Sequence, residues 1–325
     1  MKSYLFLPVF TLMCWMSLTS AVDAAYRVEK IPGGDEVVGD FVVGPTKVEL
    51  AIMPGSEKSL ELLVTNRMGD RRQFNLEIED AKGSTDPSQT VVLLGADRGP
   101  YSLRDYIYFD EASFVLEQGE RARIPVTVRI PEDAPPGGLY GSVLVTTSSV
   151  AKEGDDALQS GAVAGSVIIS RIGALFFVTV PGAVAREGAL EKFTTVPSGK
   201  ELFDLGPINF QVLFANTGSV HLNPSAVVSI KNMFGKEVAS IEAEPWFALP
   251  QSVRMREITW PQKYLFGRYT ADITLNRGYD NKTDTASVSF WVIPKMLVGG
   301  AFIVLTLIFF LLRFILRTFE IKKKR

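Results

Sequence analysis

Hydrophobic and polar positions alternate in period two along most of this chain. Leu60-Glu61-Leu62-Leu63-Val64-Thr65-Asn66, Phe74 to Glu79, Ala122 to Ile130 and Ser142 to Thr147 each read as a strand that buries one face. Gly- and Pro-rich steps separate them, and Pro135-Pro136-Gly137-Gly138 reads as a turn. Pro125 lacks an amide donor, so its strand is expected at a sheet edge or at a bulge. Ser148 to Gly165 is small, charged and unpatterned, which predicts an exposed loop; Val167 to Val180 then predicts one long strand. The pattern resumes at Ile208 to Phe214, followed by a turn at Asn216-Thr217-Gly218. Ala226 to Ile230 is expected to pair with Lys236 to Val238 across Asn232 to Gly235. Arg254 to Trp260, Tyr269 to Leu275 and Ala286 to Val292 complete the second set. The fold class is all-β: two tandem immunoglobulin-like β-sandwiches, residues 25–182 and 183–294, followed by one transmembrane α-helix.

The two ends break the alternation. Tyr4 to Leu18 is almost wholly apolar behind Lys2, and Val22-Asp23-Ala24 offers modest side chains at a cleavage point, so residues 1–24 read as a signal peptide. Cys14 is not read as a lipidation site, because bulky Thr11-Leu12-Met13 precede it. Met296 to Leu312 carries no charge, and residues 295–317 are long enough to span a bilayer core of about 30 Å at about 1.5 Å per residue. Residues 318–325 form a basic tail. Lys and Arg after the span predict a single-pass cell-membrane protein, with the body extracellular and the tail cytoplasmic. Almost no linker precedes Pro294-Lys295, so the second sandwich is expected against the bilayer and the first projecting from it.

The single cysteine leaves with the signal, so core burial rather than disulfides must stabilise the body. Residues 25–294 hold 26 Lys and Arg against 34 Asp and Glu, a net charge of −8 that argues against nucleic acid as a partner. Catalytic patterns are missing. His221, the one histidine, follows a turn and reads as a solvated loop residue; it has no G-x-S-x-G nucleophile or sulfur ligands to work with. Gly161 to Gly165 lacks the Lys-Ser/Thr of a phosphate loop, and no cofactor is expected. The acid pairs Glu77/Glu79/Asp80, Asp110/Glu111, Glu132/Asp133 and Asp155/Asp156 lack calcium-loop spacing, and Glu77 and Glu79 read as one solvated strand face. Tyr101, Arg104, Tyr106 and Tyr108 are the candidate ligand or partner residues, because Tyr stacks on sugar rings and Arg reaches carboxylates. The same four also fit a plain strand with Tyr106 and Tyr108 outward and Ile107 and Phe109 inward. Trp246, Phe247, Trp260, Tyr264 and Phe266 form a second aromatic set, part of it suited to lipid headgroups.

Phe41-Val42-Val43 with Pro45, the strand ending Val64-Thr65-Asn66, the run Ile130 to Gly141, Val180-Pro181-Gly182, Phe214 to Gly218 and Ile230 to Gly235 carry a resemblance. In these signatures and in its layout the chain resembles the bacterial WxL-interacting proteins, with a peptidoglycan-binding module, a host-binding module and a C-terminal anchor. The resemblance implies a non-enzymatic cell-surface protein that binds cell-wall polymer (peptidoglycan) and/or secreted surface proteins. The alternative is a structural or assembly subunit of an envelope membrane complex. Periplasmic pilus chaperones share a related sandwich but are soluble, and the C-terminal span separates this chain from them.

Overall fold

The computed structural model describes residues 26–34, 36–149 and 170–318. The expected signal peptide, most of the Ser148–Gly165 loop and the basic tail lie outside these residues. Strands β1 (Arg27–Lys30), β2 (Asp40–Gly44), β3 (Lys47–Ala51), β4 (Glu57–Arg67), β5 (Arg72–Lys82), β6 (Val92–Leu93), β7 (Ile107–Tyr108), β8 (Ser113–Leu116), β9 (Glu120–Arg129), β10 (Gly137–Ser149) and β11 (Arg171–Val180) build the first sandwich. One sheet runs β1-β9-β4-β2, with β7 also on β9; the facing sheet runs β3-β11-β10-β5-β6, with β8 on β5. The chain changes sheets between β2 and β3, and β3 lies parallel to β11. Alternation does the sorting. Ala122, Ile124, Val126 and Val128 of β9 point into the core, while Arg123, Thr127 and Arg129 face out. Fully burying each large aliphatic side chain is worth about 1.5–3 kcal/mol, so no cross-link is needed to hold the two sheets together.

Pro125 is neither at an edge nor at a bulge. On one side β9 pairs with β4 in unbroken register; on the other, β1 ends opposite Arg123 and β7 begins at Thr127. Pro125 sits in the gap between the two short partners, where no strand asks for an amide donor. Gly137 and Gly138, read as turn residues, instead open β10 opposite Val180 and Thr179. A Cβ on Gly138 would fall 2.0 Å from the Tyr140 hydroxyl, so only glycine leaves room for that side chain.

Strands β12 (Gly188–Val196), β13 (Leu202–Phe203), β14 (Ile208–Asn216), β15 (Ser225–Asn232), β16 (Glu237–Ala243), β17 (Ser252–Trp260), β18 (Gly267–Asn276) and β19 (Thr283–Val292) form the second sandwich. Its sheets run β12-β14-β17 and β13-β19-β18-β15-β16, and β15 pairs with β16 as the alternation suggested. Ile208, Phe210, Val212 and Phe214 face Val228, Ile230, Ile273 and Phe290 in its core. The two sandwiches share a device. Asn66 Nδ2 donates to the carbonyls of Asp70 and Leu116 while its Oδ1 accepts the Met68 N–H. Asn216 does the same with Val220, Ala248 and Gly218. Each fully buried amide ties the end of a strand to its following turn and to a distant segment.

Helix α1 (Lys295–Thr318) follows β19 after Ile293 and Pro294 alone. It is long and apolar enough to cross a membrane, and none of its most apolar stretch is covered by the body.

Candidate functional site: the junction between the sandwiches

The outer faces of β10 and β11 explain why the sandwiches do not hang loosely. In an isolated sandwich Tyr140 and Phe177 would meet water. Both are instead fully buried, in a cluster with Ala81 and Leu249, against which Tyr101 and Phe247 pack. Phe177 meets Phe247 edge-on at 5.0 Å and Tyr140 at 5.4 Å, and the His221 ring lies 5.3 Å from Phe177. Backbone groups close the seam. Gly138 N–H donates to the Ser219 carbonyl at 3.2 Å, and Val253 N–H to the Ser84 carbonyl at 3.0 Å. A Cβ on Gly83 would lie 2.4 Å from that of Ser252, so glycine permits this close approach.

His221 is not a solvated loop residue. Its turn docks on the first sandwich and leaves the side chain 10% exposed. Its backbone N–H donates to the Tyr140 hydroxyl at 2.6 Å, and its Nδ1 lies 3.3 Å from the same oxygen. The hydroxyl accepts from the backbone and has Nδ1 within hydrogen-bond reach, while Nε2 faces Glu49 at 3.8 Å. Glu49 is held in turn by Lys47 at 2.7 Å and Asn223 at 3.4 Å, and the Lys47 ammonium lies over Phe247. Burial pushes the His221 pKa below its ordinary value despite the nearby Glu49 carboxylate. Burial likewise pushes the Tyr140 phenol well up, against the hydrogen bond from His221. The order Tyr140, His221, Glu49 has the outline of a proton relay. Tyr140 has no exposed surface, however, so no substrate atom reaches its hydroxyl. The arrangement is a polar peg inside an apolar joint.

The four candidate residues from the sequence go to four environments. Tyr101 packs edge-on against Tyr140 at 6.1 Å, inside the junction, and lines a groove of ≈ 390 Å³ with Lys82, Ser84 and Gln251. Arg104 bends back to the carbonyls of Gly95 and Ala96. Tyr106 packs against the first core, as does Phe109, and Ile107 is buried in it. Tyr108 alone stands out, under the Arg129 guanidinium at 5.4 Å. The second aromatic set also divides. Trp246 and Trp260 are core, Phe247 belongs to the junction, and Tyr264 and Phe266 are exposed beside α1.

Glu79 departs from the solvated face expected for it: it is buried, paired with Arg171, and accepts the Gly95 N–H at 3.1 Å. Asp80, fully buried, accepts the N–H groups of Gly99, Leu103 and Arg104 at 3.0–3.1 Å and so fixes the segment carrying Tyr101 and Arg104. No local pattern in the sequence marks this clamp, because Asp80 lies inside β5 and the amides it holds come 19 to 24 residues later. Among the described residues no group of three His, Cys, Asp or Glu side chains is placed to hold a metal ion.

No protein-family model matches the sequence, and no curated protein matches it. Solved structures similar to it include the class 5 fimbriae chaperone CfaA (9% identity, 77% of this chain and 99% of that one, TM-score 0.37). The E. coli chaperone DraB is similar at 14% identity over 78% of this chain and 97% of that one, with a TM-score of 0.33. A PapD-like domain of human CEP192 is similar at 13% identity over 52% of this chain and 98% of that one, with a TM-score of 0.28. At such identities and scores these likenesses carry no argument about what this chain does.

Proposed function

We propose that this chain is a membrane-anchored, non-enzymatic envelope protein whose two sandwiches act as one rigid arm that binds a surface partner protein by contact. The observation that carries this reading is the junction. Tyr140, Phe177 and Leu249 are buried between the sandwiches, and an aromatic joint closed by backbone hydrogen bonds gives a partner one surface of fixed shape. Preorganisation of that kind lowers the ordering cost of association. The two-residue connection to α1 sets the arm directly on its anchor. The resemblance to WxL-interacting proteins adds bacterial origin, an extracellular body and cell-wall polymer as a second ligand class. A protein partner is preferred because, of the four candidates, Tyr101, Arg104 and Tyr106 are engaged within the fold and the ring of Tyr108, exposed on its outer side, already stacks under Arg129. Crosslinking in intact cells tests the reading. A discrete adduct of this chain with one protein, in fixed stoichiometry, is expected; a chain recovered only as itself overturns it. Sedimentation of the whole body with purified wall at moderate salt tests the polymer ligand separately.

A further inference from the structure

The end of the second sandwich nearest α1 exposes an apolar rim that no other part of the described chain covers. Phe234 is 86% exposed, Tyr264 75% and Phe266 65%, with Met233 and Leu205 also open to solvent. These positions are contiguous. Met233, Phe234, Tyr264 and Phe266 line one depression of ≈ 540 Å³. Tyr264 and Phe266, with Leu205, line the next, of ≈ 620 Å³, whose far wall is Pro294 to Leu297 at the start of α1. Phe266 lines a third with Leu297, Ala301 and Leu305 of the helix itself. In water such a collar would be an aggregation liability.

The helix start is fixed to this rim rather than tethered loosely beneath it. Lys295 pairs with Asp204 at 2.7 Å, Ile293 N–H donates to the Phe203 carbonyl at 2.8 Å, and Trp291 N–H donates to the Glu201 carbonyl. Ile293 and Pro294 could span only about 7 Å even fully extended. A rise of about 1.5 Å per residue puts Leu297 to Ala301 about 3–9 Å beyond Lys295. Phe266 therefore lies beside turns of α1 that an apolar solvent must cover.

We infer that the rim of Phe234, Tyr264 and Phe266 is a membrane-docking collar that inserts into the interfacial layer of the bilayer that α1 crosses. The occupant of the rim is lipid: the collar continues the apolar surface of the helix, and Tyr264 sits under the Lys263 ammonium at 5.7 Å, an aromatic ring with a cation at headgroup height. Docking holds the arm at one angle to the membrane, so the junction above it presents its surface in a fixed direction. The inference rests on α1 as a membrane span.

The test uses the full chain carrying Cys14→Ser in nanodiscs of phosphatidylethanolamine and phosphatidylglycerol. An environment-sensitive fluorophore is attached at Phe234→Cys, at Lys58→Cys on the first sandwich, or at Leu305→Cys in α1. The expected result is loss of the 234 signal to nitroxide-bearing lipid and shielding of that label from iodide, with the 58 label showing the reverse. Adding Phe266→Asp should return the 234 label to iodide. A 234 label that behaves like the 58 label, while the 305 label is quenched by lipid, overturns the collar and leaves the span standing. A 305 label untouched by lipid overturns both.

Discussion

Replacing Tyr140 by Phe removes one oxygen from the middle of the junction and keeps every ring contact. That oxygen accepts the His221 N–H at 2.6 Å and faces Nδ1 at 3.3 Å, in a place with no exposed surface. Without it a buried backbone donor and a buried ring nitrogen lose their partner. One unsatisfied buried group costs about 1–3 kcal/mol, so the backbone donor alone gives, at about 1.4 kcal/mol per decade, about a 5- to 150-fold shift toward the undocked joint, and the ring nitrogen adds to it. The cost is local, because both cores keep their contacts. Amide hydrogen exchange reads it directly. Gly138 and Val253 donate across the seam, so their exchange should accelerate by that factor, with His221 following. Core amides of β9 and β14 should not change. Unaltered rates at Gly138 and Val253 would refute the role given to the hydroxyl. Uniform acceleration through both cores would show instead that the substitution weakens the whole body.

Three further outcomes are expected. Lys47, Glu49 and Tyr140 face His221, whose pKa is depressed by burial, so the folded state resists its protonation. Docking is then fully stable above the unfolded histidine value of about 6.5 and weakens as pH falls below it; exchange at Val253, corrected for intrinsic rate, should rise between about pH 7.5 and about pH 5.5 in the parent but much less in His221→Gln. Asn216→Ala strips the Val220 carbonyl of its partner, while the Ala248 carbonyl keeps the Leu222 N–H and the Gly218 N–H keeps the Glu187 carbonyl; denaturant melting should show a loss of about 1–3 kcal/mol in the second sandwich, with Asn66→Ala destabilising the first in the same way. Asp80→Ala frees three amides of the 99–104 segment, so limited trypsin should cut at Arg98 or Arg104 in the variant well before it cuts the parent.

The strands were legible because alternation records a single buried face. Ala122 to Val128 and Ile208 to Phe214 read correctly for that reason. The junction was not read, although its trace is present. Leu139 to Val145 and Ala174 to Val180 are apolar or small at both parities, as expected of strands covered on both faces. His221 and Glu79 read as solvated in the sequence because spacing assigns a side chain to a face and does not reveal what docks on that face. The aromatic run Tyr101 to Tyr108 misled in the opposite direction. Its residues are close in sequence, but the turn clamped by Asp80 sends them into four environments. Tyr264 and Phe266 suggest headgroup contact in the sequence only because of the apolar helix that follows them.

Whether the two sandwiches move as one body can be measured with a pair of spin labels, at Lys58→Cys on the first and Lys236→Cys on the second, in the full Cys14→Ser chain in a lipid bilayer. Both positions are exposed and lie outside the junction. A single narrow distance distribution, broadened when Tyr140→Phe is added, is the predicted result. A broad or multiple distribution in the parent chain would contradict the rigid arm.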